Sequence, residues 1–398
     1  MRKNMAMGIA ILALAHLTPL NIARAQTTTT MATAAIPLRT GSIARAEVLA
    51  LSEKVADYQL VTMAAGYYPA NASSDTPDPR GWVQAALFIG LSDLAEHSDK
   101  PRFQQVIFSR AEANKWELGK RLYHADDHAI GQAYLWAARH GAGDAVLKNM
   151  RSSFDKILAN QSEVSLQFQK DPGVNCQVRW CWCDALFMAP AAWLEMSKVT
   201  GDERYAIFAK KEFWATTDYL YDKSEQLYFR DSRFFDQRGP KGEKIFWSRG
   251  NGWVFGGLAR MIPLLSPADP DRPKLVALFK DMAARLKAIQ KPDGYWAPSL
   301  LSDPATALPE SSGTGFYVYG LAWGVKAGIL DRANYEPAIR RGWNALTQAV
   351  HPSGKLGWVQ PVSDRPDTGN FEDTQFYGVG AFLLAATAVA DLNLKPAP

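Results

Sequence analysis

The chain has 398 residues, 47% hydrophobic and 21% charged, enough to fill one large core or two domains. Its 44 basic and 40 acidic side chains give a formal charge of +4; three of the basic ones lie in the first 25 residues, leaving 41 against 40 beyond them. A chain so nearly balanced offers no electrostatic case for nucleic acid or an anionic membrane, so an anionic ligand must be met by particular arginines.

Residues 1–25 read as a cleaved export signal: Arg2 and Lys3, a mostly apolar run from Ala6 to Leu20, and Ala23-Arg24-Ala25 before Gln26. The run is short and interrupted by His16 and Pro19, no later segment approaches spanning length, and no cysteine follows the cleavage site to carry a lipid anchor. A periplasmic protein without a membrane anchor is expected. Residues 26–42 are an Ala/Thr-rich leader.

Residues 43–393 read as one helical domain. Gly81-Trp82 opens an apolar helix, and further helices open at Asp127-His128, Cys183-Asp184, Gly252-Trp253, Ser312-Gly313 and Asp373-Thr374. Each is apolar on most faces, as in Ala85-Ala86-Leu87-Phe88-Ile89-Gly90-Leu91, which marks a buried helix. The segments that follow them, such as Tyr205–Leu220 and Leu275–Ile289, are amphipathic. Six alternations of buried and amphipathic helices predict two concentric rings, an all-α (α/α)6 barrel of six helical hairpins. Pro292-Asp293-Gly294 and Pro352-Ser353-Gly354 are turn signals in connections that approach the barrel mouth.

Cys176, Cys181 and Cys183 lie within eight residues, an odd count without the second ligand pair of a zinc site. They read as buried packing residues, with one bridge from Cys176 left open by an oxidising compartment.

The most informative stretch is Phe246-Trp-Ser-Arg-Gly-Asn-Gly-Trp253, one guanidinium between two indoles where a loop enters a helix. Arg249 suits a carboxylate and tryptophan faces suit sugar rings; a packed helix start with a structural salt bridge is the alternative. Polar groups gather at the other inner-helix starts: His124-Ala-Asp-Asp-His128, Asp184 after Trp180-Cys-Trp-Cys183, Glu310-Ser-Ser312 and Glu372-Asp373. Asp and Ser at such positions ordinarily cap helices. Asp184 differs, because the apolar groups around it would raise its pKa and fit it to act as an acid near neutral pH. His124 and His128 read as hydrogen-bonded helix-end histidines rather than a metal pair. The chain has no Gly-rich phosphate loop, H-E-x-x-H or G-x-S-x-G motif. Carboxylate-based sugar chemistry, without cofactor or metal, survives this elimination.

His124-Ala-Asp-Asp-His-Ala-Ile-Gly-Gln132, Trp182-Cys-Asp-Ala-Leu-Phe-Met188, Thr200-Gly-Asp202, Trp247-Ser-Arg-Gly-Asn-Gly-Trp253, Glu310-Ser-Ser-Gly313 and Tyr377-Gly-Val-Gly-Ala381 occur in an order that resembles the unsaturated rhamnogalacturonyl hydrolases of glycoside hydrolase family 105 and their relatives in family 88. The resemblance implies an (α/α)6 barrel that removes a 4,5-unsaturated uronic acid from the non-reducing end of lyase-generated oligosaccharides of the pectin type. It implies hydration of a vinyl ether, with Asp184 protonating C4 and then helping water reach C5, so the carboxylate-spacing rule for ordinary glycosidases does not apply. By the same resemblance one of Asp126 and Asp127, with Asp127 favoured, assists Asp184. His124, Trp182, Trp247, Arg249, Trp253 and Ser312 join the substrate-binding set. Tyr228-Phe-Arg-Asp-Ser-Arg-Phe234 departs from the family's His-Gly-Trp-Asp-like run. Arg230 or Arg233 there is expected to bind the uronate carboxylate or a sulfate, or else to pair with Asp231 or Asp236. The rival readings are another barrel enzyme, such as an ordinary glycosidase or an epimerase using His124 and His128, and a non-catalytic sugar-binding protein.

Overall fold

The structure, a computed structural model, describes residues 41–68, 76–168 and 175–396. The expected export signal and nearly all of the expected leader lie outside the described residues.

Helices alternate between two rings. An outer helix α1 (Arg45–Ala64) precedes the inner α2 (Trp82–His97), then outer α3 (Pro101–Ala113) and an inner pair α4 (Ala125–His128) and α5 (Ile130–Ala137). Outer α6 (Lys148–Ala159) is followed by the inner pair α7 (Ala185–Met188) and α8 (Pro190–Thr200), and outer α9 (Glu203–Leu220) by inner α10 (Ser248–Met261). Outer α11 (Arg272–Ala288), inner α12 (Ser311–Lys326), outer α13 (Arg332–Gln348) and inner α14 (Phe376–Leu392) complete six hairpins. The protein is an (α/α)6 barrel, as the alternating patterns predict. Pro190 separates α8 from α7, because it can donate no backbone hydrogen bond.

Burial follows the sequence pattern. Every side chain from Ser311 to Ala322 in α12 is buried, whereas outer α9 buries one stripe through Tyr205, Phe208, Phe213 and Leu220. The inner ring runs α2, α5, α8, α10, α12, α14, and closes where α14 packs on α2. At that seam a Cβ on Gly380 would stand 2.1 Å from the carbonyl oxygen of Ala86, and one on Gly90 would stand 2.5 Å from that of Gly380. Only glycine permits this approach. Gly380→Ala is therefore expected to destabilise the fold by roughly 1–3 kcal/mol through overpacking, measurable as a lower midpoint in denaturant. An unchanged midpoint would mean that the seam yields.

Two inner helices begin away from their expected starts. α10 begins at Ser248, because Ser248 N–H donates to the carbonyl of Pro298 and Trp247 is held in extended backbone against Ser299. Gly250 and Gly252 thus lie inside the helix and open no loop: their missing Cβ atoms make room for Cys183 and Trp247, and for Phe316. α14 begins at Phe376, since Asp373 is held in the preceding connection by Val359 and Asn370. A short hairpin, β1 (Tyr221–Asp222) with β2 (Leu227–Tyr228), leads from α9 towards the barrel mouth. Cys176 and Cys181 form a disulfide, the alternative left open by the sequence, and Cys183 is a buried free thiol. No described helix is long and apolar enough to cross a membrane.

Candidate active site

The inner helices bring their N-terminal starts to one end of the ring, around a cavity of about 330 Å³. Asp126, Asp184, His124, Trp182 and Arg230 line it, as expected from the sequence. So do Trp82, Arg121, Gln177, Met188 and the run Val362-Ser363-Asp364, which the sequence reading did not place there. A second cavity, of about 370 Å³, lies at the C-terminal ends of the inner helices, where Arg260 pairs with Asp93 and bonds Gln132, and Arg139 pairs with Glu195.

The carboxylates at helix starts divide by what they bond. Glu310 caps α12, accepting from the backbone N–H groups of Ser312 and Gly313. Asp184 stands at the start of α7 yet makes no capping bond. Its carboxyl, in a residue 8% exposed, faces Cys183 and lies 3.6 Å from Nε of Arg230. Burial raises its pKa against the opposing pull of Arg230 and Arg249. Burial, and then the charge of Asp184, push Asp126 up to about 8. Two carboxyls of raised proton affinity in one cavity can hold a proton at neutral pH between them.

The geometry places Asp126, rather than the favoured Asp127, at the cavity wall. Asp127 accepts from the backbone N–H of Arg121 at 2.6 Å and from its guanidinium at 2.6 and 3.1 Å, and does not line the cavity. Asp127→Asn is therefore expected to lower stability by about 1–2 kcal/mol while leaving kcat within about tenfold. Asp126→Asn should drop kcat by about 10²-fold. Melting curves and rates on the pair check this, and equal losses of kcat would refute the distinction.

His128 is a structural histidine: its Nε2–H donates to the carbonyl of Leu122 and its Nδ1 accepts from Trp193 Nε1–H. It does not line the cavity, so the two histidines form no facing shuttle of the kind an epimerase needs. His124 does line it, against Trp182 with ring centroids 4.7 Å apart, and burial holds its pKa down to about 3, leaving the ring neutral.

Trp247, Arg249, Trp253 and Ser312, expected in the substrate-binding set, are all buried and none lines the cavity. Trp253 packs among Trp82, Phe187, Phe316 and Tyr377. Ser312 donates to Glu310. Arg249 lies between Trp247 and Tyr377 and donates to the carbonyls of Gln360 and Pro361. Trp247 Nε1–H donates to the Gln360 side chain. Asn251 bonds both backbone groups of Tyr228, and Cys183 N–H donates to the carbonyl of Arg230. The motif therefore holds two walls of the cavity from behind: the Gln360–Asp364 run and the Tyr228–Arg230 segment at the end of β2.

Of the two arginines that follow β2, only Arg230 reaches the cavity. Its NH1 donates to Asp231, while its buried Nε has no hydrogen-bond partner. Arg233 forks Asp231, bridges to Asp364 at 2.8 Å and lies over the Phe168 ring, a structural role in place of substrate contact. Cavity residues beyond the motifs were hard to read. Gln177 is placed by the Cys176–Cys181 bridge, and Ser363 and Asp364 sit in a connection with no helical period.

The chain matches Glycosyl Hydrolase Family 88 over residues 51–392. A protein of Alteromonas sp. (strain LOR) named "Unsaturated 3S-rhamnoglycuronyl hydrolase" is 41% identical over 353 residues, covering 86% of this chain and 86% of that protein. A protein of the same name from Formosa agariphila is 37% identical over 323 residues, covering 79% and 85%. Among solved structures, a glycosyl hydrolase of family 88 from Bacteroides vulgatus aligns with a TM-score of 0.76 at 24% identity, over 87% of this chain and 99% of that one.

Proposed function

Since the chain belongs to glycosyl hydrolase family 88, we propose that it removes a 4,5-unsaturated uronic acid from the non-reducing end of oligosaccharides left by polysaccharide lyases. The protein is a glycosidase. The names of its two relatives turn the finer reading from a galacturonyl unit towards a uronic acid joined to a rhamnose that carries a 3-sulfate.

One observation carries the chemistry: Asp184 is buried at a helix start, caps nothing, and shares its cavity with Asp126. Protonated Asp184 delivers its proton to C4 of the vinyl ether, and positive charge develops at C5 and the ring oxygen. Water adds at C5, its proton passing to the Asp184 carboxylate with Asp126 alongside. The resulting hemiketal opens at the C5–ring oxygen bond, leaving a hemiacetal at C1 that expels the aglycone. Arg230, with its inward Nε, is the partner for the uronate carboxylate. Once that pairing forms, less of the guanidinium's charge acts on Asp184, which favours the protonated acid. Trp182, His124 and Met188 supply the faces against which the sugar lies.

Loss of the ultraviolet absorbance of the conjugated enol ether, on incubation with unsaturated disaccharides, tests the reading. Persistence of that signal on rhamnose-linked uronates, sulfated or not, and on galacturonyl substrates alike would overturn it. The export signal supports a periplasmic location. The N-terminus of protein recovered from that compartment should begin near Gln26, and recovery of the uncleaved chain from the cytoplasm would refute it.

A further inference from the structure

The proton that Asp184 delivers must sit on the carboxyl oxygen that meets the substrate, and its two oxygens are not equivalent. Oδ2 lies 3.5 Å from Sγ of Cys183 and 3.6 Å from Nε of Arg230. Oδ1 receives no hydrogen bond from another described residue, and the carboxyl stands at the cavity wall. A guanidinium only donates and a thiol can donate, so both favour a bare, negative Oδ2. The proton is then left to Oδ1.

Cys183 is fixed from several sides. Its backbone N–H donates to the carbonyl of Arg230, and its own carbonyl accepts from the N–H of Leu186 in α7. One residue thus ties the segment that carries Arg230 to the helix start that carries Asp184. Gly250 of α10 leaves the space behind the sulfur, since a Cβ there would stand 3.0 Å from Sγ. A glycine of the Trp247–Trp253 motif therefore admits the thiol. The side chain is 0% exposed, and burial, then the charge of Asp184, push the thiol well above its usual pKa. It stays S–H wherever the enzyme works, while the other two cysteines are bridged to each other.

We propose that the Cys183 thiol is a positioning group for the acid: its S–H bond to Oδ2 turns the Asp184 carboxyl so that Oδ1 carries the transferable proton into the cavity. The inference rests on the hydrolase reading and deepens it. Cys183 does not line the cavity, so it acts on substrate only through Asp184. A thiol suits the task because it is a weak donor, which orients the carboxyl and stabilises the carboxylate little. A hydroxyl in its place would hold the carboxylate harder and weaken the acid's grip on its proton.

The test follows kcat and KM across pH for wild type, Cys183→Ala and Cys183→Ser on an unsaturated uronyl disaccharide. Cys183→Ala should lower the plateau kcat by about tenfold at unchanged KM, because the carboxyl loses its orientation. Its alkaline limb should move to higher pH, because the carboxylate loses a stabilising bond. Cys183→Ser should keep kcat within about threefold and move the alkaline limb to lower pH, since O–H is the stronger donor. The other charges facing Asp184 are the same in all three proteins: Arg249 on α10, Arg230 and Asp231 after β2, Arg121, His124 and Asp126 around the start of α4, and Asp364. Opposite shifts therefore belong to the donor. Limbs that coincide with wild type, or that move the same way in both variants, overturn the proposal and leave Cys183 a packing residue. Infrared spectroscopy reads the bond without substrate. The S–H stretch, identified as the band lost in Cys183→Ser, should fall in frequency as Asp184 ionises and ignore pH in Asp184→Asn. A wild-type band indifferent to pH overturns the thiol bond while leaving the hydrolase standing. A pH-sensitive band in a protein that cleaves no unsaturated uronide upholds the bond and sinks the hydrolase reading instead.

Discussion

Asp184→Asn should lower kcat by about 10³-fold or more while leaving the melting temperature close to wild type, because it removes the proton donor and little else. The second half of that expectation comes from the geometry. A capping aspartate would lose roughly 0.5–2 kcal/mol on mutation, but the Asp184 carboxyl accepts from no backbone N–H of α7. Its neighbours are Cys183, the Nε of Arg230 and the cavity itself. An amide of the same shape meets the same walls and cannot carry a proton to carbon. Removing a buried negative charge also relieves its desolvation, which offsets the lost attraction to Arg230. Because burial also raises the proton affinity of Asp184, activity should fall on the alkaline side as the acid is lost. Wild-type rates in Asp184→Asn would remove this residue from the mechanism.

Arg249→Met should destabilise the protein by about 2–4 kcal/mol and raise KM more than it lowers kcat. The guanidinium is 0% exposed and donates at 3.1 and 3.0 Å to the carbonyls of Gln360 and Pro361. It is also sandwiched at 4.4 Å from the Trp247 ring and 4.7 Å from the Tyr377 ring. Methionine fills part of the space and leaves those carbonyls without that donor, so Val362, Ser363 and Asp364 lose their support. Lysine is no substitute, since a point charge cannot serve two carbonyls and lie flat between two rings. Denaturant titration and steady-state kinetics separate the outcomes. A variant of unchanged stability whose kcat has collapsed would return Arg249 to direct contact with substrate.

How much of this was legible in the sequence depended on which signal carried each part. The rings were legible because inner helices such as α14 are apolar nearly all round while outer ones such as α9 are apolar along a stripe, a difference that one helical turn reveals. Asp184 was legible because its neighbours in sequence are also its neighbours in space. The placement of Trp247, Arg249 and Trp253 behind the cavity wall was not legible, for the opposite reason. Residue types suited to a sugar are equally suited to gripping backbone carbonyls, and only the position of the Gln360–Asp364 run, more than a hundred residues away, decides between the two. The choice between Asp126 and Asp127 turned on one helical step, about 100° of rotation, which no spacing argument fixes before the helix start is known. Arg121 precedes the motif and has no pattern of its own; its position follows from Asp127.

The closure of α14 on α2 brings the two ends of the domain together. Ile43 N–H donates to the carbonyl of Leu394, and Arg340 reaches the carbonyls of both Gly41 and Lys395. A ring whose chain starts and stops at one place has no structural first hairpin. It should therefore tolerate circular permutation, with the old ends joined by a short linker and new ones cut in an outer connection away from the mouth. The same closure works against truncation: deleting the last hairpin would strip both α2 and α12 of their inner neighbour and leave two apolar faces to find each other in a second molecule.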